Sequence, residues 1–423
     1  TKLDTSHGET THRWATFLPD GIHFLYMAGG HDTGSKSEIN AVYIGALDST
    51  EKKLLLQSRS NVAYASGRLL FMREGVLVAQ SFDPRAAQLQ GGPLPVAESV
   101  QYEGAYFRGN FSASENGLLV FGSGSFGPTS RLQWFDRAGK PAGEPIGELE
   151  VYTGGLAISP DGNRIAAEIE DPNTGLSNIW LYDNRGVKTR FTFGRTARFP
   201  VWSPDGSRIA YAKSDKPSRW DIAVKASSGG GQEEVLYSHP ALGGPTDWSR
   251  DGRFLALTVA AQEGKPRPEI WMLPLFGDRK PYKFLTGEFA LTGRGFSPDG
   301  RWFSYTSDES GTSQIYVVAF PGPGGKWQVS TGEIVGDSGG HWSRGGKEIV
   351  YLSSGLDIVS VPVNPGPSGL EFGSSTVLLH TDYWASGGVA PDGERFLGAV
   401  RPDVANKSRL AIVANWTTGL DKK

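Results

Sequence analysis

Gly336-Asp337-Ser338-Gly339-Gly340 is the segment with the most suggestive chemistry, because a serine in a Gly-x-Ser-x-Gly setting is how many hydrolases present a nucleophile. That chemistry requires a sharp strand-to-helix turn and an acid and a histidine converging on the hydroxyl. His341 is too near Ser338 to serve as the usual base, and the flanking residues alternate like strands, so the segment reads as a loop. Asp32-Thr33-Gly34-Ser35 imitates an aspartic-protease string, but Gly29-Gly30-His31 precedes it where an apolar strand would be needed to bury a carboxylate dyad. Gly122-Ser123-Gly124-Ser125-Phe126-Gly127 has the glycine spacing of a dinucleotide loop, yet Pro128 and a strand-like run follow, where a helix N-terminus would have to meet the pyrophosphate. The 7 histidines show no metal-ligand spacing and there is no cysteine, so neither a cofactor nor a metal is expected, and disulfides are excluded.

What positions these residues is a repeat. An apolar residue, Ser, Pro or Arg, Asp and Gly recur ahead of an alternating apolar strand, as in Trp202-Ser203-Pro204-Asp205-Gly206 and Phe296-Ser297-Pro298-Asp299-Gly300. Counting looser copies, the mark's glycines fall at 21, 67, 117, 162, 206, 252, 300, 346 and 393, a spacing of 44 to 50 residues. Pro presets the first corner of a turn, Asp can accept from downstream backbone and Gly takes the left-handed position, so each mark closes a hairpin. The following runs, such as Arg208-Ile209-Ala210-Tyr211 and Gln314-Ile315-Tyr316-Val317-Val318, read as further strands. Four antiparallel strands per period make an all-β fold, a β-propeller of four-stranded blades with nine repeats. The apolar residue before each Ser is expected in the core between blades.

Composition agrees. Gly 57 and Pro 26 are about a fifth of 423 residues, which excludes a mainly helical protein. A formal charge of -3 gives no electrostatic case for nucleic acid or an anionic membrane surface, and no apolar run approaches the roughly 20 residues of a spanning helix. The expected division is three degenerate N-terminal blades over 1–139 and a uniform six-bladed ring over 140–423, with one nine-bladed ring as the alternative. After Gly393 only Glu394–Val400 and Arg409–Ala414 remain for the last blade, so an earlier segment must complete it; Lys140–Glu148 is the expected one in the six-bladed arrangement and Thr1–Asp4 in the nine-bladed.

The Ser-Pro-Asp-Gly mark with its Ile-Ala-Tyr and Ile-Trp strands resembles the TolB-type propeller repeat over most of the chain. The order of Arg13–Tyr26, Tyr64–Asp83, Gln133–Gly139, Phe320–Trp327 and the ending Asn415–Leu420 is similar to the C-terminal propeller region of bacterial membrane-anchored serine/threonine protein kinases. That resemblance implies a periplasmic or extracytoplasmic sensory or scaffolding region and a parent chain of which this is a piece, consistent with a start at Thr1. No His-Arg-Asp, Asp-Phe-Gly or ATP-binding lysine motif occurs, so no kinase chemistry is expected. The function expected is non-enzymatic binding of a protein, peptide or small extracytoplasmic ligand. The rival is a propeller-based hydrolase or peptidase-associated domain, for which the repeats leave no room for a doubly wound sheet.

In a propeller, the starts of the inner strands and the loops between second and third strands share one face. The binding residues expected there are Tyr152, Arg198, Trp220, Asp247, Arg294, His341 and Trp384, because aromatic and arginine side chains dominate binding hot spots. The competing expectation is that Arg198, Asp247 and Arg294 merely pair across neighbouring blades.

Overall fold

The computed structural model describes all residues except 5–8, 10, 30–39, 104–105, 124–128, 172–174, 195, 217–218, 262–266, 323, 333, 335–339, 367–368, 382–386, 402–408, 419 and 421–423. Ser338, the Asp32 string, most of the Gly122–Gly127 loop and Trp384 therefore lie wholly or partly outside the described residues.

The turn mark does more than punctuate. Ser203 is buried, its Oγ donates to Asp205 Oδ1 at 2.6 Å and Ser203 Oγ in turn accepts the Arg208 amide at 2.9 Å, while the Gly206 amide returns to Ser203 O at 2.8 Å. Gly206 holds φ at 68°, in the left-handed region. The hydroxyl of Ser203 comes first among the donors that hold the Asp205 carboxyl down at about 2. Ser249 with Asp251 and Ser297 with Asp299 repeat the arrangement at 2.6 Å each. Each of these marks thus satisfies its own backbone groups and closes a hairpin.

Among the described residues the protein is all-β apart from a 3-10 turn at Arg344–Gly346, and it divides into two compact units. The second unit comprises Ser130–Glu170 and Ser177–Pro402. Its strands form successive antiparallel groups: Thr196–Trp202 through Glu234–His239, Leu242–Trp248 through Tyr282–Leu285, Leu291–Phe296 through Lys326–Gln328, and His341–Ser343 through Thr376–His380. The remaining strands run as one seven-stranded path hinged on the long strand Ile146–Ile158, whose second half pairs Ile165–Asp171 and whose first half pairs Ser130–Asp136. Ser130–Asp136 then pairs Arg395–Val400, which pairs Gly387–Val389.

The first unit comprises Thr1–Thr129, Asp171–Leu176 and Asp403–Lys423. It holds two four-stranded sheets, Thr11–Phe17 to Lys52–Gln57 and Val62–Ala65 to Gln88–Ala97. A three-stranded sheet follows, in which Arg409–Ala414 pairs Leu118–Ser123.

Two strand assignments differ from expectation. The strand completing the last group is Ser130–Asp136, with Lys140–Glu148 contributing only the start of the next strand outward, because residues 136–140 close a hairpin between them (Gly139 N to Asp136 O, 3.0 Å). Arg409–Ala414 joins the first unit, where Trp416 buries itself beside Leu119, Phe121 and Leu70. The compact units divide at Thr129/Ser130, and the last strand belongs to the first unit.

The apolar residue of the mark is core, as expected: Trp248 and Phe296 are 1% exposed, and Trp248 packs among Val201, Ile222, Leu255 and Leu257. At two marks the Arg that follows caps the next group's aromatic, Arg164 lying over Trp202 at 4.6 Å and Arg208 over Trp248 at 5.1 Å.

Candidate functional site

In the second unit the first strand of each group touches the first strand of the next: Ile146–Ile158, Thr196–Trp202, Leu242–Trp248, Leu291–Phe296, His341–Ser343 and Gly387–Val389, the last touching Ile146–Ile158 again. All six border one cavity of about 580 Å³. Four of these strands carry a register irregularity where they reach it, between Tyr152 and Leu156, Arg198 and Val201, Pro245 and Asp247, and Gly293 and Gly295. A bulge re-aims side chains and opens the ladder, so backbone as well as side chains face the space. Glycine is required at two of the bulges. A β-carbon on Gly244 would lie 2.5 Å from the Phe199 ring, with φ at 140°, and one on Gly295 would lie 2.8 Å from Asp247 Oδ2.

Charge in the cavity is concentrated on one side. Arg294 and His341, on consecutive first strands, both line it. Burial, reinforced by the Arg294 charge, pushes the His341 imidazole down to about 4, so the ring is neutral at physiological pH and the guanidinium supplies the positive charge. Asp247, on the preceding first strand, accepts the Phe296 amide at 2.8 Å, and burial pushes its carboxyl up. The His341 shift has a consequence for stability. Between about pH 6.5 and 4 the unfolded chain binds a proton that the folded chain refuses, so His341 costs stability as pH falls through that window and nothing above it, up to about 3 kcal/mol. His341→Gln is expected to flatten that part of the pH profile, read as the difference in urea midpoints between pH 7 and pH 4.5; an unchanged difference contradicts the assignment.

Of the seven residues expected at a binding face, two, Arg294 and His341, line this cavity. Arg198 follows the competing expectation: its Nε lies 3.5 Å from Glu168 Oε1, on the neighbouring group, and Glu168 is buried and also accepts Thr153 Oγ1 at 2.7 Å and the Phe199 amide at 3.2 Å. Asp247 likewise bridges to the next strand group. Tyr152 is corrected to a core residue, 6% exposed, its hydroxyl 3.1 Å from that of Tyr182, because the bulge after it turns the ring inward. Trp220 is partly buried against the core shared by its own and the following group. Trp384 lies outside the described residues. The residues overlooked are the wall itself, Gly154-Gly155, Gly243-Gly244, Thr246, Thr292 and Gly387-Gly388. Paired glycines shortly before successive turn marks were the available signal.

Among the described residues no cluster of His, Cys, Asp and Glu could hold a metal ion, and no helix is long and apolar enough to cross a membrane. The family model of the TolB beta propeller domain matches residues 194–415, just over half of the chain. An uncharacterized protein of Agrobacterium fabrum, Atu1656, is 31% identical over 194 residues, covering 44% of this chain and 58% of its own length. The Tol-Pal system protein TolB of Alcanivorax borkumensis is 35% identical over 78 residues, 18% of each chain. An uncharacterized peptidase of Bacillus subtilis, YuxL, is 27% identical over 113 residues, 25% of this chain and 17% of its own. The chain thus spans less than two thirds of each of these relatives. The crystal structure of TolB from Acinetobacter baumannii is 19% identical, covers 84% of this chain and 76% of its own, and has a TM-score of 0.40.

Proposed function

Because the chain belongs to the TolB beta propeller domain family, we propose that it is a non-enzymatic binding module whose second unit closes as a six-bladed ring and takes up a protein segment or peptide at the cavity. The two four-stranded sheets and the three-stranded sheet of the first unit act as additional blades. The observation that carries the reading is the cavity bordered by six successive first strands, with exposed glycine backbone and one guanidinium, Arg294, inside it. Backbone groups facing a cavity suit an extended peptide, and a desolvated arginine suits an acidic group on it. The setting we propose is the extracytoplasmic sensory or scaffolding region of a larger bacterial signalling protein such as a serine/threonine kinase, on the strength of the segment order from Arg13 to Leu420.

Peptides selected from a displayed random library on the protein test this directly. Binding is expected to weaken tenfold or more in Arg294→Ala, since arginine truncations at buried centres of interfaces typically cost over 1 kcal/mol. Arg198→Ala is the poorer probe, because it leaves the buried Glu168 carboxylate without its cation. Selected peptides that bind Arg294→Ala as tightly as the parent would remove the site. The peptidase relative favours a hydrolase instead, and fluorophosphonate labelling that disappears in Ser338→Ala would decide for it.

A further inference from the structure

We infer that the first unit carries a separate binding site, for a carboxylate attached to an apolar body, in the pocket whose wall includes Arg59. The pocket, about 550 Å³, is bordered by Leu56, Arg59, Phe71, Met72, Arg73 and Tyr102 among others, a size that accommodates a small organic ligand.

Its floor is built rather than incidental. The Arg59 guanidinium lies 4.7 Å above the Phe107 ring. Phe107 is fixed by the Asn61 amide, which donates to its carbonyl at 3.0 Å, and the Asn61 side chain clasps Gly109, donating to its O at 3.1 Å and accepting its amide at 2.6 Å. The Tyr102 hydroxyl donates to the Arg59 carbonyl, and Ser60 Oγ accepts the Met72 amide at 3.0 Å. These contacts tie the segment carrying Arg59 to both neighbouring walls, so the guanidinium is held before any ligand arrives.

The chemistry of the walls selects the ligand. Burial pulls the Arg59 guanidinium below its ordinary value, only partly offset by Tyr102, so an incoming anion would stabilise a charge that its surroundings disfavour. Arg73, exposed at the rim, adds a second positive charge against the single acid, Glu74. A planar guanidinium fork matches a carboxylate in two parallel hydrogen bonds. Phe71, Met72, Leu56 and the Tyr102 ring supply apolar surface for the remainder. A half-buried guanidinium stacked on Phe107, beside that apolar surface and with Gln57, Ser58 and Gln80 on the remaining wall, suits a carboxylate that carries a hydrophobic body.

The sequence contains 3 methionines, Met27, Met72 and Met272, so a methyl-labelled full chain reports on this pocket through Met72 while Met272 reports on the second unit. Titration with N-acetyl-phenylalanine is expected to shift the Met72 methyl resonance to saturation, with Kd about 1 mM or tighter, and to leave Met272 in place. N-acetyl-phenylalaninamide and inorganic phosphate are expected to bind roughly tenfold more weakly, as is the acid to Arg59→Lys, which keeps the charge and loses the fork. Should Arg59→Lys disturb the Met27 and Met272 signals, the exposed Arg73→Gln serves instead, with a few-fold weakening expected. A Met72 signal that does not move, an amide that binds as well as the acid, phosphate binding as well as the amphiphile, or indifference to both variants overturns the assignment.

Discussion

Residues 130–402 produced alone are expected to unfold in one cooperative transition, whereas residues 140–402 are expected to show none. The core clusters of the second unit are made by its own strands. One of them depends on Ser130–Asp136: Leu132 and Trp134 sit with Leu397, Ala399, Tyr152 and Ile165, and Arg395 caps the Trp134 ring at 4.8 Å. Removing that strand withdraws two large buried side chains, each contributing about 2–3 kcal/mol, and leaves Arg395–Val400 with an open edge. The summed loss is comparable with the whole stability of an ordinary domain, about 5–15 kcal/mol. Urea unfolding followed by tryptophan fluorescence distinguishes the outcomes, and equal midpoints for the two fragments would refute the strand's role.

A single side chain fastens the same closure. Arg137, in the hairpin after Ser130–Asp136, donates from Nη1 to Glu348 Oε1 at 2.8 Å and from Nη2 to Oε2 at 3.0 Å, and also from Nη1 to Gly393 O at 2.8 Å. Glu348 is 5% exposed and accepts Ser360 Oγ at 2.6 Å as well. Burial pushes this carboxyl up, but the hydrogen bonds from Arg137 and Ser360 outweigh it and hold the group below its ordinary value. In the parent protein Glu348 therefore contributes stability above its unfolded pKa, lost as pH falls through the folded value.

Arg137→Ala leaves the buried carboxylate with Ser360 and a distant Arg344 at 3.9 Å, and is expected to cost about 3–5 kcal/mol at pH 7. With its main partner gone, burial dominates and the folded pKa rises above the unfolded one, so the cost should shrink as pH is lowered toward 4.5 and Glu348 takes up a proton. Arg137→Ala with Glu348→Gln should recover much of the loss at pH 7. A penalty from Arg137→Ala that is the same at pH 7 and pH 4.5 would mean that the ion pair is not what fastens the hairpin.

The hairpins were legible because their chemistry is local: Ser203, Asp205 and Gly206 carry, within one turn, every group that closes it. Which sheet a strand joins is not local. Ser130–Asp136 and Arg409–Ala414 are alternating runs of similar length, and only pairing with Arg395–Val400 or Leu118–Ser123, far away in sequence, separates their fates. The cavity was half legible for a related reason. Arg294 and His341 lie on first strands two or three residues ahead of the Ser of their turn marks, whereas Tyr152, farther ahead of its mark on another first strand, turns inward at a bulge that a two-residue alternation does not reveal.

The return of Arg409–Ala414 to the first unit sets a schedule for synthesis. A ribosome making roughly 5–20 residues per second finishes the first two sheets well before Arg409–Ala414 emerges, so Leu118–Ser123 waits for that partner on the order of half a minute. Ser130–Asp136 waits almost as long for Arg395–Val400. The two units are completed within a few seconds of each other, when Val400 and then Ala414 emerge, so a message cut short between Asp136 and Val400 leaves both units open at once to chaperones and proteases.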